Sequence, residues 1–156
     1  MCILLSKKEI ENILPHRDPI LLVDEVLEIQ EDRILAKKII SSDESVLKGH
    51  FPEYPIYPGV YIIEGLAQTA GILLLREISA SGKKVVPLFL GIDDARFKKE
   101  VRPPCELLYD VKLLESKMGV YIVDAKAYVN NSLVAKAKLV LGSKVASEGT
   151  EGTKNE

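Results

Sequence analysis

Residues 49–71 read GHFPEYPIYPGVYIIEGLAQTAG, and the change of character inside this stretch decides the fold. Its first half carries Pro52, Pro55 and Pro58 at three-residue spacing. Each proline fixes its own φ and pushes the preceding residue away from helix, so a stiff loop is predicted, continuous with Ser41 to Tyr57. Its second half opens on Pro58-Gly59. Proline fits the first turn of a helix, where its missing N–H costs nothing. An apolar run then carries a predicted helix to about Ser81, with Gly82 as the stop. This helix is apolar nearly all round, which predicts burial on most sides. Glu64, Gln68 and Thr69 interrupt it. A membrane span needs about 20 residues with few polar groups, so a buried core helix is the expectation.

Working outward, Ser6-Lys7-Lys8-Glu9 matches a capping box and predicts a short helix over Lys7 to Ile13. Pro15 and Pro19 bracket a turn. Ile20 to Ile29 is rich in branched residues and reads as a strand. It turns at Glu31-Asp32 into a hairpin partner, Arg33 to Ile40. Past the long helix, four strands are predicted: Val85 to Lys98, Glu106 to Lys117, Val120 to Asn130 and Leu133 to Ser143. Met118-Gly119 and Asn130-Asn131-Ser132 are hairpin turns of the expected kind. The order is two strands, one long helix, then four strands. An α+β domain satisfies it, with an antiparallel sheet wrapped around one long central helix. One helix cannot cover both faces of such a sheet, so apolar surface is expected to be hidden between subunits. The domain is expected to span residues 1–143, with 144–156 a flexible tail rich in Ser, Gly, Glu, Thr and Lys.

The chain has 156 residues, enough for one ordinary domain, and 47% are apolar. The net charge of −2 argues against nucleic acid as main partner, since phosphate binding normally leaves a basic excess. Cys2 and Cys105 form no C-x-x-C pair, and only His16 and His50 could join them, so no metal site is expected. Unpaired cysteines suit a reducing cytoplasm. The short apolar run before Lys7 and Lys8 does not fit a signal peptide.

Three positions carry the chemistry. His50 stands at the mouth of the proline-stiffened loop and titrates near neutral pH, as a general acid–base group should. A loop histidine bonded to backbone fits the same position. Glu64 lies inside the apolar helix. A carboxylate buried there must find a partner or take up a proton. Gln68 follows at i+4 and Gly71 at i+7, one polar stripe able to line a small pocket. A structural hydrogen bond, or a solvated helix face, also accounts for Glu64. Gly59 marks a helix N-terminus, whose free N–H groups favour negative charge and polarise a carbonyl. Close packing explains that glycine equally well.

The segment GHFPEYPIYPGVYIIEGLAQTAG resembles the active-site signature of the FabZ-type (3R)-3-hydroxyacyl-acyl-carrier-protein dehydratases. Leu14-Pro15-His16-Arg17-Asp18-Pro19, running into Leu21-Leu22-Val23-Asp24, resembles the same family's N-terminal block. Phe89-Leu90-Gly91-Ile92-Asp93 with Ala95-Arg96-Phe97 resembles a third. The resemblance implies a hot-dog fold and a homodimer, often assembled as a trimer of dimers. It implies a site shared between subunits, with His50 from one and Glu64 from the other. The backbone N–H groups at Gly59 and Val60 would hold the thioester carbonyl, and Gln68 would support Glu64. The implied reaction removes water from a 3-hydroxyacyl thioester to give the trans-2-enoyl thioester, as in type II fatty acid biosynthesis, with no metal or redox cofactor. The implied partner is acyl carrier protein, bearing the acyl chain on phosphopantetheine. Lys98, Lys99 and Arg102 form the candidate docking patch, for which a solvated strand end is the alternative. A related dehydratase–isomerase family has aspartate where this chain has Glu64, and hot-dog thioesterases usually lack the HFP-x-x-P-x-x-PG arrangement. Two positions depart from the pattern: Asp18 replaces an aromatic residue, and Pro103-Pro104-Cys105 replaces Pro-Gly-Asp.

Overall fold

The computed structural model describes residues 2–145. The elements run α1 (Lys7–Ile13), β1 (Glu25–Ile29), β2 (Arg33–Ile40), a short 3-10 turn (Ser45–Lys48), α2 (Gly59–Ala80), β3 (Val85–Phe97), β4 (Cys105–Lys117), β5 (Val120–Val129) and β6 (Ser132–Val145). The strands form one six-stranded sheet in the order β1-β2-β4-β5-β6-β3. Every neighbouring pair is antiparallel. The sheet wraps α2, which packs against β2, β3, β4, β5 and β6. This is the α+β arrangement expected from the element order.

The packing has a plain cause. Burial alternates along β2 and the first half of β4, which is how a sheet with one covered face reads. The covered face presents Tyr109, Val111, Val123 and Leu139 to Leu66, Ala70 and Leu73 of α2. At its centre, Ala125 pairs with Ala137 and Ala127 with Ala135. These small, buried side chains let the helix lie close to the strands. By length and composition alone α2 could cross a membrane, but 67% of its most apolar window is buried inside the fold, as in a core helix.

The capping box at α1 is present, with Ser6 and Glu9 bonded reciprocally. Both hairpin turns take positive φ, at Met118 and Gly119 and at Asn130 and Asn131, the twist that two-residue hairpins need. Gly82 follows α2 at φ +87°, a left-handed position where glycine carries no steric penalty.

Several element ends shift by a residue from the sequence reading, and three boundaries differ for a physical reason. Pro58 is the N-cap of α2 and lies outside its first turn, because its ψ of 134° keeps it extended. β1 begins at Glu25, five residues after Ile20, because the backbone of Ile20 and Leu22 is bonded to side chains instead of a neighbouring strand. β6 runs on through Lys144 and Val145, since β3 offers both a partner. The rest of the expected tail, 146–156, lies outside the described residues.

Candidate active site

The loop before α2 is closed on itself. The His50 N–H donates to the Leu47 carbonyl, and the Ile56 N–H donates back to the His50 carbonyl at 2.9 Å. Phe51 and Tyr54 exchange backbone hydrogen bonds at 3.1 Å, and the Tyr57 N–H reaches Val101 across the loop. In this frame the half-buried His50 ring stacks on Phe51 at 4.2 Å. Its Nδ1 lies 2.8 Å from the Ile56 carbonyl. A carbonyl can only accept, so Nδ1 carries a proton, and in the neutral ring Nε2 holds the lone pair. The backbone-bonded histidine and the general base are therefore one state of the ring: the first bond orients it, and the second nitrogen is left basic.

Glu64 sits one turn inside α2 with its side chain 29% exposed, so a single chain does not bury it as the sequence reading expected. Gln68, 1% exposed, lies beneath it. The Gln68 amide donates to Glu64 Oε1 at 3.1 Å and to the Ile20 carbonyl at 2.7 Å, and accepts from the Leu22 N–H at 2.8 Å. One side chain thus fastens the 17–22 loop to α2 and holds Glu64. The buried Thr69 is satisfied within the helix by the Gly65 carbonyl at 2.8 Å. Gly71 does not line the pocket beside Glu64 and Gln68, because it packs against Leu14, whose Cδ2 would lie 3.2 Å from a Cβ at that position.

His16 arrives at the same place from the loop. Its Nε2 lies 3.7 Å from Glu64 Oε1. His16, Glu64, Gln68 and Phe89 line a half-open cleft of about 40 Å³, together with Leu88 and Leu141. Burial lowers the His16 pKa below its usual 6.5; the Glu64 carboxylate opposes that shift and Arg17 reinforces it. The sequence reading assigned His16 no role. Its one signal was the Pro15-His16-Arg17 block, and nothing local places residue 16 beside residue 64.

At the N-terminus of α2, no side chain caps the helix. A Cβ on Gly59 would lie 2.6 Å from the Phe97 ring, so close packing does require this glycine. Gly59 and Val60 share an open hollow of about 510 Å³ with Lys98 and Lys99. Arg102 faces elsewhere, its guanidinium 4.2 Å above the Tyr54 ring, and the Tyr54 hydroxyl donates to Glu100 at 2.8 Å. Asp18 forms an ion pair with Lys7 at 2.9 Å, a surface role that explains an acid there.

Two groupings result: Glu64, Gln68 and His16 on one side of α2, and Gly59, Val60, Lys98 and Lys99 at its start. Among the described residues, no hydrogen bond, ion pair or common cavity joins His50 to Glu64 within one chain.

A family profile described as "FabA-like domain" matches residues 14–138. A 3-hydroxyacyl-(acyl-carrier-protein) dehydratase FabZ of Thermotoga neapolitana is 61% identical over 135 residues, covering 86% of this chain and 95% of the relative. Among solved structures, the dehydratase heterocomplex ApeI:P from Xenorhabdus doucetiae superposes with a TM-score of 0.73 at 18% identity, over 86% of this chain and 90% of that one. A hypothetical thioesterase from Streptococcus pneumoniae, solved with coenzyme A, gives 0.60 at 14% identity, over 78% and 85%. At such identities the last two show the fold alone.

Proposed function

The chain belongs to the FabA-like domain family, among its FabZ-type 3-hydroxyacyl-acyl-carrier-protein dehydratases, and from that premise we propose that it removes water from (3R)-3-hydroxyacyl-acyl carrier protein to give the trans-2-enoyl product of type II fatty acid biosynthesis. The observation that carries the site is the commitment of His50 Nδ1 to the Ile56 carbonyl, which leaves Nε2 as a free base on a stiff loop.

The thioester carbonyl sits at the N–H groups of Gly59 and Val60, where the helix dipole stabilises the charge that builds on its oxygen. That acidifies the C2 proton, and His50 Nε2 takes it. Glu64 gives a proton to the C3 hydroxyl, which leaves as water, and Gln68 holds Glu64 in place.

The working unit is a homodimer, with His50 and Glu64 supplied by different protomers. What supports this is β3. It is a sheet edge of 13 residues, exposing Val86, Leu88 and Leu90 on one side and Phe89, Ile92 and Phe97 on the other, the alternation shifting at the bulge between Phe89 and Gly91. A long apolar edge strand invites pairing, and a twofold axis beside β3 would pair it with its own copy. A trimer of dimers follows from family likeness. Lys98 and Lys99 form the centre of the carrier-protein docking patch, acting through attraction to an acidic partner, and Arg102, turned onto Tyr54, lies at its margin. The setting is the cytoplasm.

The test is direct. Purified protein incubated with 3-hydroxyacyl-acyl carrier protein should yield the ultraviolet-absorbing enoyl thioester. Release of free thiol without enoyl product would make it a thioesterase, and no turnover by folded protein would end the proposal. Charge reversal at Lys98 and Lys99 should weaken turnover of the carrier-bound substrate more than that of a pantetheine thioester.

A further inference from the structure

We propose that His16 is a positioning residue for Glu64: with Gln68 it holds the Oε1 oxygen, so that Oε2 is the oxygen turned to the departing hydroxyl. This rests on the dehydratase reading of Glu64 given above.

Two nitrogens converge on one oxygen. Gln68 Nε2 lies 3.1 Å and His16 Nε2 3.7 Å from Oε1. Among the described residues no hydrogen bond reaches Oε2. Gln68 cannot follow Glu64 if it moves, because the backbone of Ile20 and Leu22 holds both ends of its amide. His16 is similarly confined, 19% exposed and walled by Pro87, Leu88 and Leu141.

The tautomer follows from burial. His16 Nδ1 is buried and has no hydrogen-bond partner. A proton there would be an orphaned donor, so it belongs on Nε2, facing Glu64. The charged groups facing this ring are Glu64 from α2 and Arg17 from its own loop, while β3 and β6 face it with uncharged side chains only. Burial and Arg17 outweigh Glu64, which keeps the ring neutral at pH 7. A neutral N–H donor holds a carboxyl group without forbidding it a proton. An imidazolium would pin it as carboxylate.

The chemical step balances on this arrangement. The Oε2–H bond breaks as its proton passes to the hydroxyl oxygen. The C3–O bond breaks and water leaves. The electron pair of the C2–H bond becomes the C2=C3 double bond, and His50 Nε2 holds the other proton. Protonation of His16 as pH falls withdraws the proton that Glu64 must give, so His16 sets an acid limb on kcat.

The experiment compares wild type, His16→Ala, His16→Gln and Glu64→Gln on 3-hydroxyacyl-acyl carrier protein across pH. His16→Ala should lower kcat about tenfold with KM unchanged, the size of one lost polar contact between neutral groups. The acid limb should vanish, and His16→Gln, which keeps an N–H donor, should recover part of kcat without restoring it. Wild-type kcat and pH profile in His16→Ala, beside an inactive Glu64→Gln, overturns the role of His16 alone. Full activity in Glu64→Gln overturns the reading beneath it. The wild-type protein supplies a check that needs no variant to fold. The chain has two histidines, and their imidazole nitrogen resonances should report His16 as the neutral Nε2–H form at pH 7 and His50 as the Nδ1–H form. An Nδ1–H form or an imidazolium at His16 overturns the proposal.

Discussion

The amide of Gln68 has one oxygen and one nitrogen to offer, and both are in use, on Leu22, Ile20 and Glu64. Gln68→Leu keeps the volume and removes all three bonds. It leaves the Leu22 N–H and the Ile20 carbonyl without a partner, at a cost of about 2–3 kcal/mol. A lower urea midpoint at unchanged slope should record it. His50 should behave in the opposite way. Its ring makes one hydrogen bond, to the edge of its own loop. His50→Ala should therefore lower kcat by about 100-fold or more while the melting temperature barely moves. His16 links stability to pH. Its folded pKa is depressed below 6.5, so the unfolded chain binds more protons as pH falls through that value. Stability from this group is full above about pH 6.5 and is lost toward the depressed value, and His16→Asn should flatten the curve between them. Glu64 stood out in the sequence as a carboxylate inside an apolar helix and His50 as a histidine on a proline-stiffened loop, and the resemblance singled them out as a pair. His16 was not, because its context is a contact between residues 48 apart.

At the scale of elements, α2 and β4 meet at one close approach. A Cβ on Gly65 would lie 2.2 Å from the Tyr109 hydroxyl oxygen. Tyr109 cannot retreat: it is 0% exposed, and its hydroxyl donates to the Leu22 carbonyl at 3.0 Å. Gly65→Ala should cost about 2–3 kcal/mol, through overpacking and the broken bond together. Thermal unfolding would measure it, and Gly65→Ala with Tyr109→Phe should recover part of the loss. The helix, the hairpins and the later strands were readable because local patterning and turn chemistry agree with their tertiary setting. β1 was overrun at its start for the converse reason. Ile20 to Leu22 has strand composition, yet Gln68 and Tyr109 take its backbone groups.

At the scale of the molecule, β3 has a partner on one side only, and its exposed apolar side chains face both ways. If two protomers share each site, mixed dimers give a clean readout. His50→Ala and Glu64→Gln are each inactive as pure dimers. Random reassortment makes half of the dimers mixed, each with one intact site of two, so activity should return to about a quarter of wild type. No recovery after verified subunit exchange would place the site within one chain. Charge on the edge, as in Leu90→Asp, should push the dimer toward monomer in sedimentation and remove activity with it.

The sequence by itself determined the element order and the buried helix, and through its resemblance to the dehydratases it nominated the two residues on which the proposed reaction turns. Those properties are local: proline stiffness, hydrophobic period, turn residues, and a carboxylate set among apolar neighbours. Tertiary structure alone decided which nitrogen of His50 is basic, since that depends on where the Ile56 carbonyl points. It alone brought His16 and the 17–22 loop onto Glu64, through the amide of a buried glutamine. It also left His50 and Glu64 apart within a chain. Local pattern cannot encode that separation, because it is set by how a sheet curls around its helix and which edge it leaves unpaired.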